Sequence, residues 1–178
     1  WGGGVYNTGV FTITNSSFIS NTAEGDGGGL YNAVGEHMVW VENCTFADNW
    51  AYALGAGLVN ETFGVAVVRN STFVGNATEV GGGIYNGSTM TLTNVSLAAN
   101  VVTTEFGSGG GIYNARSGVL YLRNSFVADT VDGSDCFNEE GGTIAENANN
   151  LVEDGTCNAT RSGDPLLGAL GDYGGDTQ

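Results

Sequence analysis

Several residue types are scarce in this sequence, and each shortage narrows the choice of fold and function. Proline occurs once among 178 residues while glycine occurs 31 times, so collagen is excluded, because it needs proline and a strict three-residue period. Lysine is absent, and four arginines stand against 19 acidic residues, for a formal net charge of -15. Such a charge repels nucleic acid and anionic membrane surfaces, so we expect neither as a partner. No apolar run is long enough to span a bilayer, which predicts no membrane span in this chain.

What the chain does contain is an internal repeat of 25 to 28 residues, about one turn of a solenoid. Its first block has the pattern Gly-Gly-Gly-aliphatic-Tyr-Asn and occurs at Gly2–Asn7, Gly27–Asn32, Gly81–Asn86 and Gly109–Asn114, with a degenerate copy at Gly55–Asn60. A second block, of the Asn-Ser-Thr-Phe type, begins at Asn15, Asn43, Asn70, Asn94 and, one residue shorter, Asn124. Three residues after its aromatic or leucine comes a further polar residue, at Asn21, Asn49, Asn76, Asn100 and Asp129. We therefore predict three asparagine-type corners in each coil.

Alignment on the second block predicts which side chains are buried. The positions two and four residues before its asparagine are apolar in every copy, beginning with Ile13 and Phe11. The position directly before the asparagine is polar in every copy: Thr14, Glu42, Arg69, Thr93 and Arg123. This alternation indicates a strand with one buried face, and Phe18, Phe46, Phe73 and Leu97 are predicted to form an internal stack. The sequence therefore predicts an all-β, right-handed parallel β-helix of about five coils over residues 1–131, with a C-terminal cap or tail over 132–178 packed on the last coil.

These blocks resemble those of bacterial surface β-helix proteins, including the polymorphic outer membrane protein repeats. The tail adds a second resemblance, to the C-terminal ending of predicted secreted solenoids of the choice-of-anchor group. It rests on four segments: Asn150-Leu151, Asp154 to Cys157, Gly163 to Gly168 and Gly174 to Gln178. The resemblance implies a secreted β-helix at the cell surface or outside the cell, and it implies architecture more strongly than activity.

Three cysteines are present, and two of them lie outside the repeat. Cys136 and Cys157 are 21 residues apart in the tail, and we predict a disulfide between them, as suits an extracellular protein. Cys44 stands where other coils have serine, which indicates a small buried residue. A catalytic cysteine needs a histidine nearby, and the single histidine, His37, falls in a loop one strand earlier.

Two classes of function fit the pattern. The first is a non-enzymatic structural or adhesive solenoid, with no catalytic residue assigned. The second is an extracellular protein that binds or cleaves polysaccharide in a groove beside the long loop, Val101 to Ser108. Cleavage needs a basic proton abstractor with acidic calcium ligands, or convergent carboxylates on neighbouring coils, and the outward columns carry single charges of mixed sign, such as Glu42 beside Arg69.

Acidic pairs and glycosylation sequons provide further candidate sites. No cofactor is predicted, although calcium could use Glu24 with Asp26, Asp132 with Asp135, or Glu139 with Glu140, none of which has the spacing of a dedicated calcium loop. Asn-x-Ser/Thr sequons are frequent, and most coincide with the repeat corners. Asn60, Asn86 and Asn158 adjoin loops and are the preferred candidates for glycosylation.

We expect the chain to associate with copies of itself, head to tail or laterally. The first coil begins at Trp1 with a full repeat block, which leaves a strand edge available for addition. The outward column that contains Trp40, Val67 and Tyr121 predicts an apolar patch, and a second patch is formed by Tyr6, Tyr31, Tyr85 and Tyr113. Extracellular glycans are the other expected partner.

Overall fold

The computed structural model describes residues 1–105 and 107–168. They form a right-handed parallel β-solenoid of about five turns, built from four parallel sheets, and no helix occurs in these two ranges. In particular, no helix of the described chain is long and apolar enough to cross a membrane. The predicted tail motif Gly174 to Gln178 lies outside the described residues.

The four sheets are each made from one strand per turn. Sheet 1 contains β1 (Val5–Asn7), β5 (Leu30–Asn32), β9 (Leu58–Asn60), β13 (Ile84–Asn86), β17 (Ile112–Asn114) and β20 (Cys136–Asn138). Sheet 2 contains β2 (Val10–Thr14), β6 (Met38–Glu42), β10 (Val65–Arg69), β14 (Thr89–Thr93), β18 (Val119–Arg123) and β21 (Thr143–Ala148). Sheet 3 contains β3 (Ser17–Ile19), β7 (Thr45–Ala47), β11 (Thr72–Val74), β15 (Ser96–Ala98), β19 (Phe126–Ala128) and β22 (Leu151–Val152). Sheet 4 contains β4 (Thr22–Ala23), β8 (Trp50–Ala51), β12 (Ala77–Thr78) and β16 (Val101–Val102).

The register stacks like residues on like, as the repeat predicts. In sheet 2, Phe11 and Ile13 stand opposite Val39 and Val41, and the same two columns continue inward through the next three coils. Phe11 is 43% exposed because no strand neighbours β2 on that side, whereas Val39 is fully buried. The predicted inward columns are confirmed.

One detail of the predicted alignment is wrong. The shortened second block equates Phe126 with Leu97 and Asp129 with the corner residue Asn100, but Leu97 pairs with Val127, and Ser96 pairs with Phe126. Val127 is fully buried, while Phe126 lies on the outer side and is half-buried. The second block of this coil is therefore not shortened. The inward residue stands three positions after the asparagine in every coil, whatever its type.

Two rows of asparagines, buried except at the end members Asn138 and Asn21, run along the inside of the solenoid. In the first, each side-chain amide donates to the carbonyl oxygen of the next at 2.7–3.0 Å, through Asn7, Asn32, Asn60, Asn86, Asn114 and Asn138. In the second, the order is Asn21, Asn49, Asn76 and Asn100, with distances of 2.8–2.9 Å. A buried amide needs partners for its donors and its acceptor, and stacking the same residue in every turn supplies them.

The third corner is different, because its asparagines face outward. Asn15, Asn43, Asn70, Asn94 and Asn124 adopt positive φ values of 49–55°. Asparagine tolerates this left-handed backbone better than most residues, which explains its recurrence there. Two of the three predicted corners thus form buried amide ladders, and the third makes the turn.

The glycine blocks permit close contact between coils. A Cβ atom on Gly28 would lie 2.5 Å from the carbonyl oxygen of Trp50 and 2.7 Å from that of Ala56. Gly27 has a φ of 69°, in the left-handed region. The block therefore combines a turn with a backbone approach that leaves no room for a side chain.

Candidate functional sites

The broadest regular surface is the outer face of sheet 2, because its strands are the longest of the repeat. Each five-residue strand directs its first, third and fifth side chains outward and its other two inward, and the inward side chains are buried in every such strand except at Phe11 in β2. The third position forms the column Thr12, Trp40, Val67, Thr91 and Tyr121. The fifth forms the column Thr14, Glu42, Arg69, Thr93 and Arg123. This face carries apolar and charged groups side by side.

A groove lies on this face across the first three coils. It has a cavity volume of about 250 Å³ and is lined by Thr12, Trp40, Val41, Glu42, Val67 and Arg69. Trp40 is 51% exposed, and its neighbours on the flanking strands are the smaller Thr12 and Val67. Two residues further along the strands, Glu42 and Arg69 stand opposite each other. The groove therefore has an aromatic side and a charged side.

Glu42 and Arg69 have no side-chain partner among the described residues. Neither side chain makes a hydrogen bond or an ion pair within residues 1–105 and 107–168, although they occupy directly paired positions. Arg116 and Arg123 differ, since they pair with Glu139 and Glu146 respectively. The Arg123 guanidinium lowers the pKa of the Glu146 carboxyl, as a nearby opposite charge does.

A row of aromatic side chains runs along the outer face of sheet 1. This tyrosine row consists of Tyr6, Tyr31, Val59, Tyr85, Tyr113 and Phe137, one from each strand. The ring centroids of Tyr6 and Tyr31 are 5.3 Å apart, and those of Tyr85 and Tyr113 are 5.6 Å apart. The two ends are open, with Tyr6 50% and Phe137 37% exposed, while Tyr31 and Val59 in the middle are buried with Leu54 packed against them.

Acidic groups flank the tyrosine row. Burial, with the nearby carboxylate of Glu61, raises the pKa of Tyr85 to about 12 and raises that of Tyr31 further. Burial and Glu139 also raise the pKa of Tyr113. Negatively charged carboxylates therefore lie beside the row.

The predicted self-association residues thus lie on separate surfaces. Trp40, Val67 and Tyr121 belong to sheet 2, whereas Tyr6, Tyr31, Tyr85 and Tyr113 belong to sheet 1. Trp1 lies in neither sheet and donates its indole N–H to the Asp26 carboxylate at 3.0 Å.

The loop beside which the sequence places a binding groove does border a depression. Among the described residues, Val102, Thr103, Thr104, Glu105, Asp132 and Gly133 line it, with a cavity volume of about 320 Å³. Glu105 and Asp132 give this lining a negative charge, and no basic side chain is part of it. It is a poorer place for an acidic polysaccharide than the groove at Trp40.

Three of the six acidic side chains proposed as calcium ligands have partners within the described chain. Asp26 accepts hydrogen bonds from Trp1 and from the Leu54 backbone amide. Asp135 is buried and accepts from the backbone amides of Thr130 and Asp154. Glu139 pairs with Arg116, whereas Glu24 and Glu140 are exposed side chains. Asp132 borders the loop depression instead of joining Asp135 in one site.

Sequence reasoning missed one acidic group. Asp129, Glu153 and Asp164 bring carboxylate oxygens within 4.8 Å of one another, from three separate segments near the C-terminal end of the described chain. Glu153 also accepts a hydrogen bond from the Asp129 backbone amide. Their spacing along the chain carries no motif, so only the packing of the tail on the fifth coil reveals the group. Calcium binding stays a prediction.

The asparagine side chains of the glycosylation sequons differ in burial. Asn60 and Asn86 are fully buried in the first amide ladder and donate hydrogen bonds along it. The accessibility expected from their positions beside loops is therefore corrected, because the side chain points inward although the loop begins next to it. Asn158 is exposed. The outward corner asparagines Asn15, Asn70 and Asn94 are exposed as well, and they also begin sequons.

The cysteines are placed as the sequence predicts. Cys136 and Cys157 form a disulfide with their Cα atoms 5.7 Å apart, which joins β20 to the tail. Cys44 is a free, fully buried thiol whose Sγ lies 3.2 Å from the Glu42 carbonyl oxygen. Burial raises the pKa of this thiol, which disfavours the thiolate that a nucleophile needs.

No family model, curated protein or solved structure matches this chain. The class of protein is therefore defined by its architecture, a right-handed parallel β-solenoid with asparagine ladders and one disulfide.

Proposed function

We propose that this protein is a non-enzymatic extracellular solenoid with a structural and adhesive role, and that its copies associate laterally into a filament or layer. The observation that carries the proposal is the tyrosine row. It is continuous in register from β1 to β20 and exposes aromatic side chains at both ends. Exposed aromatic side chains at the two ends of such a row suit contact with a parallel copy.

Repulsion between negatively charged copies makes the proposed lateral assembly depend on ionic strength. The net charge of -15 and the carboxylates of Glu61 and Glu139 beside the row make two approaching copies repel. Salt or divalent ions screen this repulsion, whereas the apolar contact persists. Lateral assembly therefore strengthens as ionic strength rises.

The extracellular and non-catalytic parts of the proposal have separate support. The Cys136–Cys157 disulfide suits an oxidising environment. The resemblance of the repeats to bacterial surface solenoids points to the same location. On the outer face of sheet 2, Glu42 stands beside Arg69 and Glu146 is bound by Arg123, so carboxylates do not converge there as glycoside hydrolysis requires.

Sedimentation of the chain across a salt series tests this function. We expect mass to increase between about 0.01 M and 1 M salt, as the Debye length falls from about 30 to about 3 Å. The double variant Tyr85→Thr with Tyr113→Thr should stay monomeric, since threonine preserves strand preference and removes the rings. Tyr121→Thr on sheet 2 is the matched control and should assemble normally. A wild-type monomer at every salt concentration would refute lateral assembly.

A second candidate function is binding or cleavage of an extracellular polysaccharide. The specific observation that favours binding is the groove with Trp40 on one side and two unpaired charges on the other. Product analysis after incubation with neutral and acidic polysaccharides separates cleavage from binding. New reducing or unsaturated ends would identify an enzyme and overturn the non-catalytic assignment.

A further inference from the structure

We propose that the groove formed by Trp40, Glu42 and Arg69 is a binding subsite for one neutral pyranose unit of a glycan. The inference deepens the adhesive role proposed above by naming a ligand class and a site. The proposed subsite lies on sheet 2, whereas lateral assembly is assigned to sheet 1, so the two proposals concern separate surfaces.

The first argument is the aromatic platform. Trp40 projects from the middle of β6, and the side chains beside it, Thr12 and Val67, are small enough to leave about half of its surface in solvent. An indole has a large apolar face and little conformational freedom. The C–H face of a pyranose ring is the apolar surface of a sugar, and it stacks on such a platform.

The second argument is the pair of charged groups. Glu42 follows Trp40 by two residues on the same strand, so both side chains point outward about 7 Å apart. A carboxylate accepts hydrogen bonds from sugar hydroxyls, and the Arg69 guanidinium donates to hydroxyl or ring oxygens, both as charge-assisted bonds. Since neither group has a partner within the described chain, a ligand does not have to break an existing ion pair.

Size and charge select the ligand class. The cavity of about 250 Å³ is smaller than the range of about 300–1,000 Å³ typical of drug-sized ligands, so it suits one ring held in a longer, open-ended chain. One negative and one positive group make the groove locally neutral, while the net charge of -15 repels polyanions. A neutral glycan therefore fits better than a uronate polymer or an acidic peptide.

A binding experiment with defined probes tests the subsite. The intact chain is titrated with cello-, malto-, manno-, galacto- and chito-oligosaccharides, with oligogalacturonate as the acidic arm, and binding is followed by calorimetry. We expect at least one neutral series to bind. Trp40→Ala should weaken that binding by about tenfold or more, and Glu42→Gln and Arg69→Gln should each weaken it as well.

The controls distinguish a lost site from a lost fold. Trp50→Ala removes another partly exposed tryptophan, on sheet 4, and should leave saccharide binding unchanged. Each variant is also melted, because Trp40 lies on the outer face and its loss should leave the melting temperature close to that of the wild type. Failure of every neutral series to bind, or binding that survives Trp40→Ala, would overturn the proposal.

Sedimentation of the same variants separates this inference from the proposed lateral assembly. Loss of saccharide binding with normal salt-dependent assembly supports both assignments. A chain that binds saccharide but never assembles refutes lateral assembly alone. If Trp40→Ala abolishes assembly and no saccharide binds, the groove is a contact between copies of the chain and the saccharide proposal is wrong.

Discussion

Phe46 and Phe73 stack inside the solenoid with their ring centroids 4.6 Å apart and their planes parallel. Both side chains are fully buried, and Phe18 extends the stack on the other side of Phe46. Each ring therefore contributes to its own coil and to its neighbours, and the coils are expected to lose stability together when one ring is removed.

Replacing Phe73 with alanine should lower the free energy of unfolding by about 3–5 kcal/mol. The lost ring leaves a cavity between stacked coils, and neither coil can move to fill it without the other. Denaturant unfolding measures the change. Ile19→Ala, on the outer side of the same sheet, is the control and should cost much less. An unchanged stability of Phe73→Ala would contradict the internal stack.

The first amide ladder makes a separate prediction. Asn60 accepts from Asn32 and donates to Asn86, so Asn60→Ala removes both hydrogen bonds. The Asn32 amide nitrogen then keeps only its bond to the His37 carbonyl oxygen, and the Asn86 side-chain oxygen keeps only the bond from the Ser88 backbone N–H. Each lost hydrogen bond costs about 0.5–1.5 kcal/mol. We expect a fall in melting temperature, with little change for the exposed neighbour Thr62→Ala. Equal melting temperatures for the two variants would argue against a stabilising ladder.

The disulfide should stabilise the C-terminal segment. Closing a 21-residue separation between Cys136 and Cys157 is worth about 3 kcal/mol by loop entropy. The paired variant Cys136→Ala with Cys157→Ala should therefore unfold at lower denaturant concentration. Non-reducing mass spectrometry of the wild type checks the pairing directly, with Cys44→Ser removing the third thiol. Free thiols at both positions would refute the bond.

Asp135 should give the protein a pH-dependent stability. Burial raises the pKa of this carboxyl above its value in the unfolded chain. Between the two values the folded state binds more protons, so the contribution of Asp135 to stability is present at low pH and is lost as pH rises through the folded pKa. We expect the stability of the wild type relative to Asp135→Asn to decrease as the pH rises above about 4, the pKa of an aspartate in the unfolded chain. A constant difference would contradict this. The exposed Asp132→Asn serves as the control.

The regular part of the fold could be predicted because the repeat shows it five times. Columns headed by Phe11 and Ile13 alternate with polar residues in register, and parallel coils place equivalent residues above one another. The fifth coil shows the limit of this reasoning. The shortened fifth block equates Phe126 with Leu97, whereas the strand register pairs Leu97 with Val127 and buries Val127.

The candidate sites were harder to predict from the sequence, because they depend on which strands and segments lie side by side. Trp40 was predicted to be outward, but the groove it forms with Glu42 and Arg69 arises from three strands lying side by side. Asp129, Glu153 and Asp164 meet only because the tail folds back on the last coil.

By itself, the sequence determined the solenoid, its inward columns and the cysteine pairing, because each depends on periodicity or on the position of a few residues outside the repeat. The tertiary structure alone decided that Asn60 and Asn86 lie in a buried ladder while Asn15 and Asn70 face solvent. The residue type is the same at all four positions, so composition does not distinguish them. The path of the backbone through each corner distinguishes them, since it determines whether the side-chain amide points toward the next coil or into solvent.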